Sequence, residues 1–253
     1  MVRTLAFYLL LFLVLPGCAT APAPVSRPVT PRVEPLPVTE PKTAADYLAL
    51  GDFFLARDGQ EGRALASYRK ALTFEPEAKV ASRVYCGMGE VYRRARDYRN
   101  AVASFGSAVK ADEGNPRAWT YLGVTYYDQA VVEGQLNPEH LRRAVDLLTR
   151  ALTVEPAYAE AYMWRGRARQ FLGLKIEAVR DYDAALDLGV PPEATDLVRD
   201  QLANSLFDTG QYDRAIEEWG RLLAEGNGSP RLRKRWQGLI KVAQKARAKE
   251  RSP

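Results

Sequence analysis

From Thr43 onward, small and apolar residues recur with a helical period, and no stretch alternates as a strand would. A small residue is followed at +4 by an aromatic or Leu, and at +7 usually by a second small one. The pattern occurs five times: Ala64-Tyr68-Ala71, Ala101-Phe105-Ala108, Ala144-Leu148-Ala151, Ala178-Tyr182-Ala185 and Ala215-Trp219-Leu222. This spacing puts all three residues on one face of a helix. Upstream of each lies a second helical segment with its own small residue, in order Gly51, Gly89, Gly123, Gly166 and Ala203. In the first four, an aromatic stands four residues earlier: Tyr47, Tyr85, Trp119 and Tyr162. Paired helices cross closely only where side chains are small, and large neighbours fill the space around the contact. The pattern therefore predicts an all-α chain of helix pairs.

Gly89 to Gly123 and Ala144 to Ala178 are each 34 residues apart. With the triplets above, this resembles the tetratricopeptide repeat (TPR), a 34-residue helix-turn-helix unit. The resemblance implies an α-solenoid of about five TPR repeats, near residues 44–78, 82–115, 116–158, 159–192 and 196–229, with a capping helix after them. Ala101 to Ala144 spans 43 residues, which places a nine-residue insertion in the third repeat. Within it, Asn137-Pro138-Glu139 reads as an N-cap followed by proline at the first helical position. The insertion is expected to lengthen both helices of that repeat and to leave His140 as a first-turn surface residue without a metal or catalytic role.

The start of the chain follows a different logic. A short positive start, Met1 to Arg3, precedes an apolar run of 11 residues from Leu5 to Leu15, shorter than the roughly 20 needed to span a membrane. Leu15-Pro16-Gly17-Cys18 resembles the lipobox of bacterial lipoproteins, which implies cleavage before Cys18 and a lipid on that cysteine. Ala19 is not the aspartate that retains such proteins in the inner membrane, so the resemblance implies an outer-membrane anchor facing the periplasm. Seven prolines between Ala19 and Lys42 favour polyproline II, a tether of up to roughly 70 Å. The expected organisation is a signal peptide at 1–17, a lipidated cysteine and tether at 18–42, repeats at 43–229 and a basic cap at 230–253.

Composition narrows the function. Of 253 residues, 47% are hydrophobic, enough for a sizeable core, and two cysteines with one histidine exclude a disulfide scaffold or a Cys/His zinc site. The net charge of +5 is unevenly placed: residues 230–253 carry +8 and the remainder sums to −3. That last stretch puts Leu232, Trp236, Leu239, Ile240, Ala243 and Ala246 at helical spacing, the one-sided helix a repeat array needs at its end. Its charged face is either a solvated cap or a surface for anionic lipid headgroups, cell-wall polymer or an acidic partner. Nucleic acid is not expected for an exported protein. No cofactor, metal or small-molecule substrate is expected, and no hydrolase or phosphate-loop motif occurs.

In the repeat family the first helices line a concave groove that holds partner polypeptides. Carried onto this chain, the groove positions are Arg83, Glu90 and Arg93 in repeat two, with Cys86 either a buried small residue or an exposed thiol. Repeat three gives Arg117, Thr120, Val124 and Tyr127, repeat four Glu160, Met163, Arg167 and Gln170, and repeat five Asp200, Asn204 and Phe207. Tyr127, Met163 and Arg167 are expected to converge as the binding centre. The positions of the family's carboxylate clamp carry Leu48, Asp52, Gly87, Arg117 and Tyr121; only Arg117 fits, which disfavours carboxylate-ended chaperone tails. The expected function is a scaffold that binds envelope proteins, resembling the lipoproteins that pilot the type IV pilus secretin. Adaptors for outer-membrane protein assembly or peptidoglycan enzymes are the alternative, and a cell-wall-active enzyme is the more distant one.

Overall fold

The computed structural model describes residues 36–132, 136–226 and 228–250. The expected signal peptide, Cys18 and most of the expected tether lie outside them. Among the described residues the chain forms eleven helices and no strand: α1 (Ala44–Leu55), α2 (Glu61–Leu72), α3 (Ala78–Arg94), α4 (Tyr98–Ala111), α5 (Pro116–Val131), α6 (Pro138–Val154), α7 (Ala159–Phe171), α8 (Lys175–Leu188), α9 (Pro192–Asp208), α10 (Tyr212–Ala224) and α11 (Pro230–Glu250).

Several starts are written locally. Thr43 and Asp46 form a reciprocal capping box at α1, in which Asp46 N–H donates to Thr43 Oγ1 at 3.2 Å and Thr43 N–H donates to Asp46 Oδ2 at 2.9 Å. Asn115 and Asn137 cap α5 and α6 through their side-chain oxygens, each with proline as the first helical residue. The insertion is distributed differently from expectation. α6, with 17 residues, is the longest second helix, against 12 to 14 in the others, while α5, with 16, is no longer than α3 or α9 at 17. His140 is half-buried, not a free surface residue: its ring meets Tyr126 edge-on at 5.8 Å.

All fifteen residues of the five sequence triplets are fully buried. In the first four pairs the aromatic or Leu seats on a glycine of its partner helix. A methyl added at Gly51 would lie 2.3 Å from the Tyr68 ring, at Gly89 2.8 Å from Phe105, at Gly123 2.9 Å from Leu148 and at Gly166 2.9 Å from Tyr182. These approaches set the pair spacing, and burial of each large side chain contributes about 1.5–3 kcal/mol.

Pairs then stack through their first helices. α1 touches α3, α3 touches α5, α5 touches α7 and α7 touches α9, whereas successive second helices have no comparable contact. A stack tied more closely on one side bends toward that side, so the first helices line the inner face. At the far end α11 packs on α10, with Trp236 and Ala243 buried in the last core cluster. Leu232, expected on this inward face, is 41% exposed.

Candidate partner-binding groove

The inner face carries two features, a pocket and a charge network. The pocket begins with Asn115, whose Oδ1 caps α5 while its Nδ2 donates to Ser82 Oγ at 2.9 Å; Ser82 in turn donates to the carbonyl of Ala108. This relay fixes the start of α5 against α3 and α4, and with it the stem of Arg117. The guanidinium of Arg117 lies 5.3 Å from the Tyr121 ring and has no ion pair among the described residues. It lines a pocket of about 230 Å³ with Arg83, Asn115, Asp52, Cys86, Gly87, Leu48 and Leu55. Asp52 accepts from Tyr68 Oη at 2.8 Å and stands 3.8 Å from Arg83. Cys86 is buried in the pocket floor, and burial pushes its thiol up to about 11, so it sits there as a neutral small apolar group. Beside the pocket, Tyr158 donates to Glu160 at 3.3 Å, and burial with the Glu160 charge pushes Tyr121 up to about 12.

The charge network runs across α3, α5 and α7. Arg93 donates to both oxygens of Glu90, at 2.8 and 3.0 Å, and to Asp128 at 2.8 Å; Arg94 adds a bond to Glu90 at 2.9 Å. Burial alone would raise the Glu90 carboxyl, but the two arginines overcome it and hold Glu90 below the usual range. At Asp128 burial wins, and its carboxyl is raised. Next to Asp128, the Arg167 guanidinium sits 4.6 Å from the Trp164 ring and 5.3 Å from Tyr127. Phe171, 46% exposed, meets Tyr127 at 5.8 Å. The arrangement offers both charge signs and an exposed ring over three successive first helices.

Residues 86–130 match the family model of the tetratricopeptide repeat. Among solved structures the chain is similar to TTC0263 of Thermus thermophilus, described as a thermophilic TPR protein (TM-score 0.57, 23% identity, 78% of this chain and 98% of that one). It is also similar to PilF of Pseudomonas aeruginosa (TM-score 0.64, 19% identity, 81% and 87%). A third is YrrB, described as a TPR protein with an unusual peptide-binding site (TM-score 0.52, 22% identity, 72% and 85%). The fold is a TPR solenoid. A curated relative, the DnaJ homolog subfamily C member 7 homolog of Dictyostelium discoideum, is 29% identical over 163 residues, 61% of this chain. The match spans only 29% of that relative's length.

Within the solenoid, the residues expected in the groove separate into three groups. Arg83 and Arg117 line the pocket, Glu160 lies beside it, and Glu90, Arg93 and Arg167 belong to the charge network. Thr120 and Val124 are fully buried, and Tyr127 and Met163 nearly so, at 4% and 7% exposure, so they pack between helices and present little surface. Tyr127 does meet Arg167 as expected, but Met163 belongs to the core cluster of Tyr182 and Trp219. The remaining group is engaged within the protein. Gln170 accepts from Tyr182 Oη at 2.9 Å, and Phe207 packs on Tyr212 and Trp219. Asp200 is buried and accepts from Trp219 Nε1 at 3.3 Å, Trp236 Nε1 at 2.9 Å and Arg235 at 2.8 Å, while Asn204 Nδ2 donates to the Asp200 carbonyl. Arg94, Asp128 and Phe171 join the groove without having been named from the sequence. Each directly follows a named or packed groove residue, Arg93, Tyr127 and Gln170, which is the signal that could have found them.

Proposed function

We propose that this TPR solenoid is a scaffold of the bacterial envelope, anchored to the outer membrane through Cys18 and holding partner proteins on its inner face. The observation that carries the binding role is Arg117: a guanidinium at the mouth of a pocket, flanked by Tyr121 and without a carboxylate partner among the described residues. Asp52 in the same pocket disfavours a terminal carboxylate and suits a polypeptide of mixed charge. The fold shared with YrrB, with its peptide-binding site, supports a peptide ligand. The Leu15 to Cys18 motif supports the anchor. Assembly of the type IV pilus secretin is the envelope process favoured by the resemblance of the sequence to pilotin lipoproteins.

The test is site-specific photo-crosslinking in intact envelopes from positions Arg117 and Phe171 on the inner face and Arg143 on α6, away from it. One partner should be captured from the first two positions and not from Arg143; capture from Arg143 alone would sink the groove reading. Separately, Cys18→Ser should release the protein from membranes at high salt, and retention there would remove the anchor.

A further inference from the structure

α11 carries two chemically different faces. Its inner side holds Trp236 and Ala243 in the core, with Leu239 and Ile240 half-buried beside them. The arginines on this side are engaged within the protein. Arg235 reaches Asp200 at 2.8 Å, Arg233 the carbonyl of Gly226 at 3.4 Å, and Arg247 pairs with Asp213.

The outer side is built from other material. At about 100° per residue, Arg231, Lys234, Lys241, Lys245 and Lys249 fall within an arc of about 80°, opposite Trp236 and Ala243. All five are exposed, and among the described residues none of their side chains has an ion pair or hydrogen bond. Glu250, the one acid of α11, lies about 100° round the helix from the end of this stripe. A Cβ added at Gly238, midway along the stripe, would meet nothing within 4 Å, so no neighbouring element shields it. From Arg231 to Lys249 the stripe runs about 27 Å at 1.5 Å rise per residue.

We infer that this stripe is a docking surface for an anionic lipid bilayer. Four of its five cations are lysines, whose compact ammonium groups carry no fixed fork and suit a mobile plane of phosphates. Fixed carboxylates of a folded partner are matched better by guanidinium forks, and three of the arginines of α11 are already engaged within the protein. Val242, 53% exposed at the edge of the stripe, would enter the headgroup boundary. No described helix is long and apolar enough to cross a membrane, so the contact is made along the surface. Each cation near an anionic bilayer strengthens partitioning about fivefold, and clusters of this size on an amphipathic helix are enough to bind.

Residues 36–253 hold every described core cluster and form one compact unit, so this portion can be tested without the N-terminal segment. It should cosediment with phosphatidylcholine–phosphatidylglycerol vesicles at about 0.1 M salt, where the screening length is about 10 Å, and not with phosphatidylcholine alone. Binding should vanish at about 1 M salt. The variant Lys234→Gln, Lys241→Gln, Lys245→Gln, Lys249→Gln should lose on the order of several hundredfold in partitioning with its helix content unchanged. The matched control Lys79→Gln, Lys110→Gln, Arg143→Gln, Arg150→Gln removes four exposed cations elsewhere and should keep most of the binding. Equal loss in both variants would reduce the effect to net charge and overturn the proposal. So would failure of the parent protein to bind anionic vesicles, or binding to poly-glutamate without vesicle binding, which would assign the stripe to an acidic polypeptide. Cys18 takes no part in this measurement, so its outcome and that of the anchor are independent.

Discussion

Cys86 and Asp200 occupy the same register, each three residues before the small residue of its first helix, Gly89 and Ala203. In repeat two that position opens on a pocket, and a neutral thiol forms the floor. In repeat five it is sealed by α11, and the carboxylate collects two indole N–H groups and a guanidinium. The register puts a side chain on the inner face; what comes next in the chain decides whether that face is a binding surface or a joint. At the C-terminal end Trp236 and Arg235 turn a groove position into the lock of the cap.

Asp200→Ala sharpens the comparison most. It would leave Trp219 Nε1 and Trp236 Nε1 buried without an acceptor, each costing about 1–3 kcal/mol, while the half-exposed Arg235 returns to water. Urea unfolding should show that loss, and trypsin should cut at the lysines of α11 well below the main transition. Cys86→Ala, which removes one sulfur beside an existing pocket, should cost about 1 kcal/mol. Equal costs at the two positions would mean that α11 is not held through Asp200.

The second contrast concerns how tightly the open half is built. Tyr68 is gripped from both sides, since a methyl at Gly87 in the next repeat would also lie 2.3 Å from its ring, as at Gly51. Gly87→Ala should therefore cost about 1–3 kcal/mol by overpacking, because the ring has no side to yield toward. Gly62→Ala, in the exposed face of α2 with nothing within 4 Å, should instead gain up to about 1 kcal/mol from helix propensity. A thermal melt in which both substitutions stabilise would contradict the seating of Tyr68.

These positions show what was readable in the sequence and what was not. The fifteen core residues follow from local spacing alone, since Tyr68 or Trp219 is buried by a face its own helix presents. The groove residues depend on neighbours about 34 positions away, and spacing carries no information about those. Thr120 and Val124 share a face with Arg117 but are closed off by packing, while Asp200 is covered by a helix outside the repeat pattern. Asp128 owes its part in the groove to pairing with Arg93 across α3 and α5, which the spacing within one helix does not show, whereas Arg94 pairs with Glu90 along α3 itself and reaches the Leu55 carbonyl of α1.

Acid offers a third test, on the inner face of repeat two. Because the Glu90 carboxyl is held below its ordinary value of 4.5, its stabilisation is complete above that pH and is lost as pH falls through the folded-state value. Asp128 works the other way. Its raised carboxyl carries a burial penalty while ionised, which is relieved as it protonates. Glu90→Gln should cost about 1.5 kcal/mol at neutral pH and flatten the acid limb of the stability curve. An acid limb unchanged in the variant would place the sensitivity elsewhere.

The smallest effect separates the repeats at their turns. The residue two before each of the second helices α2, α8 and α10 is a glycine in the left-handed region, with φ of 74° at Gly59, 79° at Gly173 and 77° at Gly210. Repeat two places Arg96 there, at φ 58°. Its N–H donates to the carbonyl three residues back at 3.0 Å, as the N–H groups of Gly173 and Gly210 do at 3.1 Å, so the turn is the same and only the side chain differs. A non-glycine residue in this conformation costs about 1–2 kcal/mol. Glycine would remove that strain but give back about 0.4–1 kcal/mol through the greater freedom of the unfolded chain. Arg96→Gly should therefore stabilise by about 0.5 kcal/mol, a rise of roughly one to two degrees in melting midpoint for a domain of this size. Gly210→Arg should lower stability by about the same amount, since it installs the strain that repeat two already carries. If Arg96→Gly destabilises, the arginine is holding the turn through its side chain, and the two turns are not equivalent despite their shared backbone.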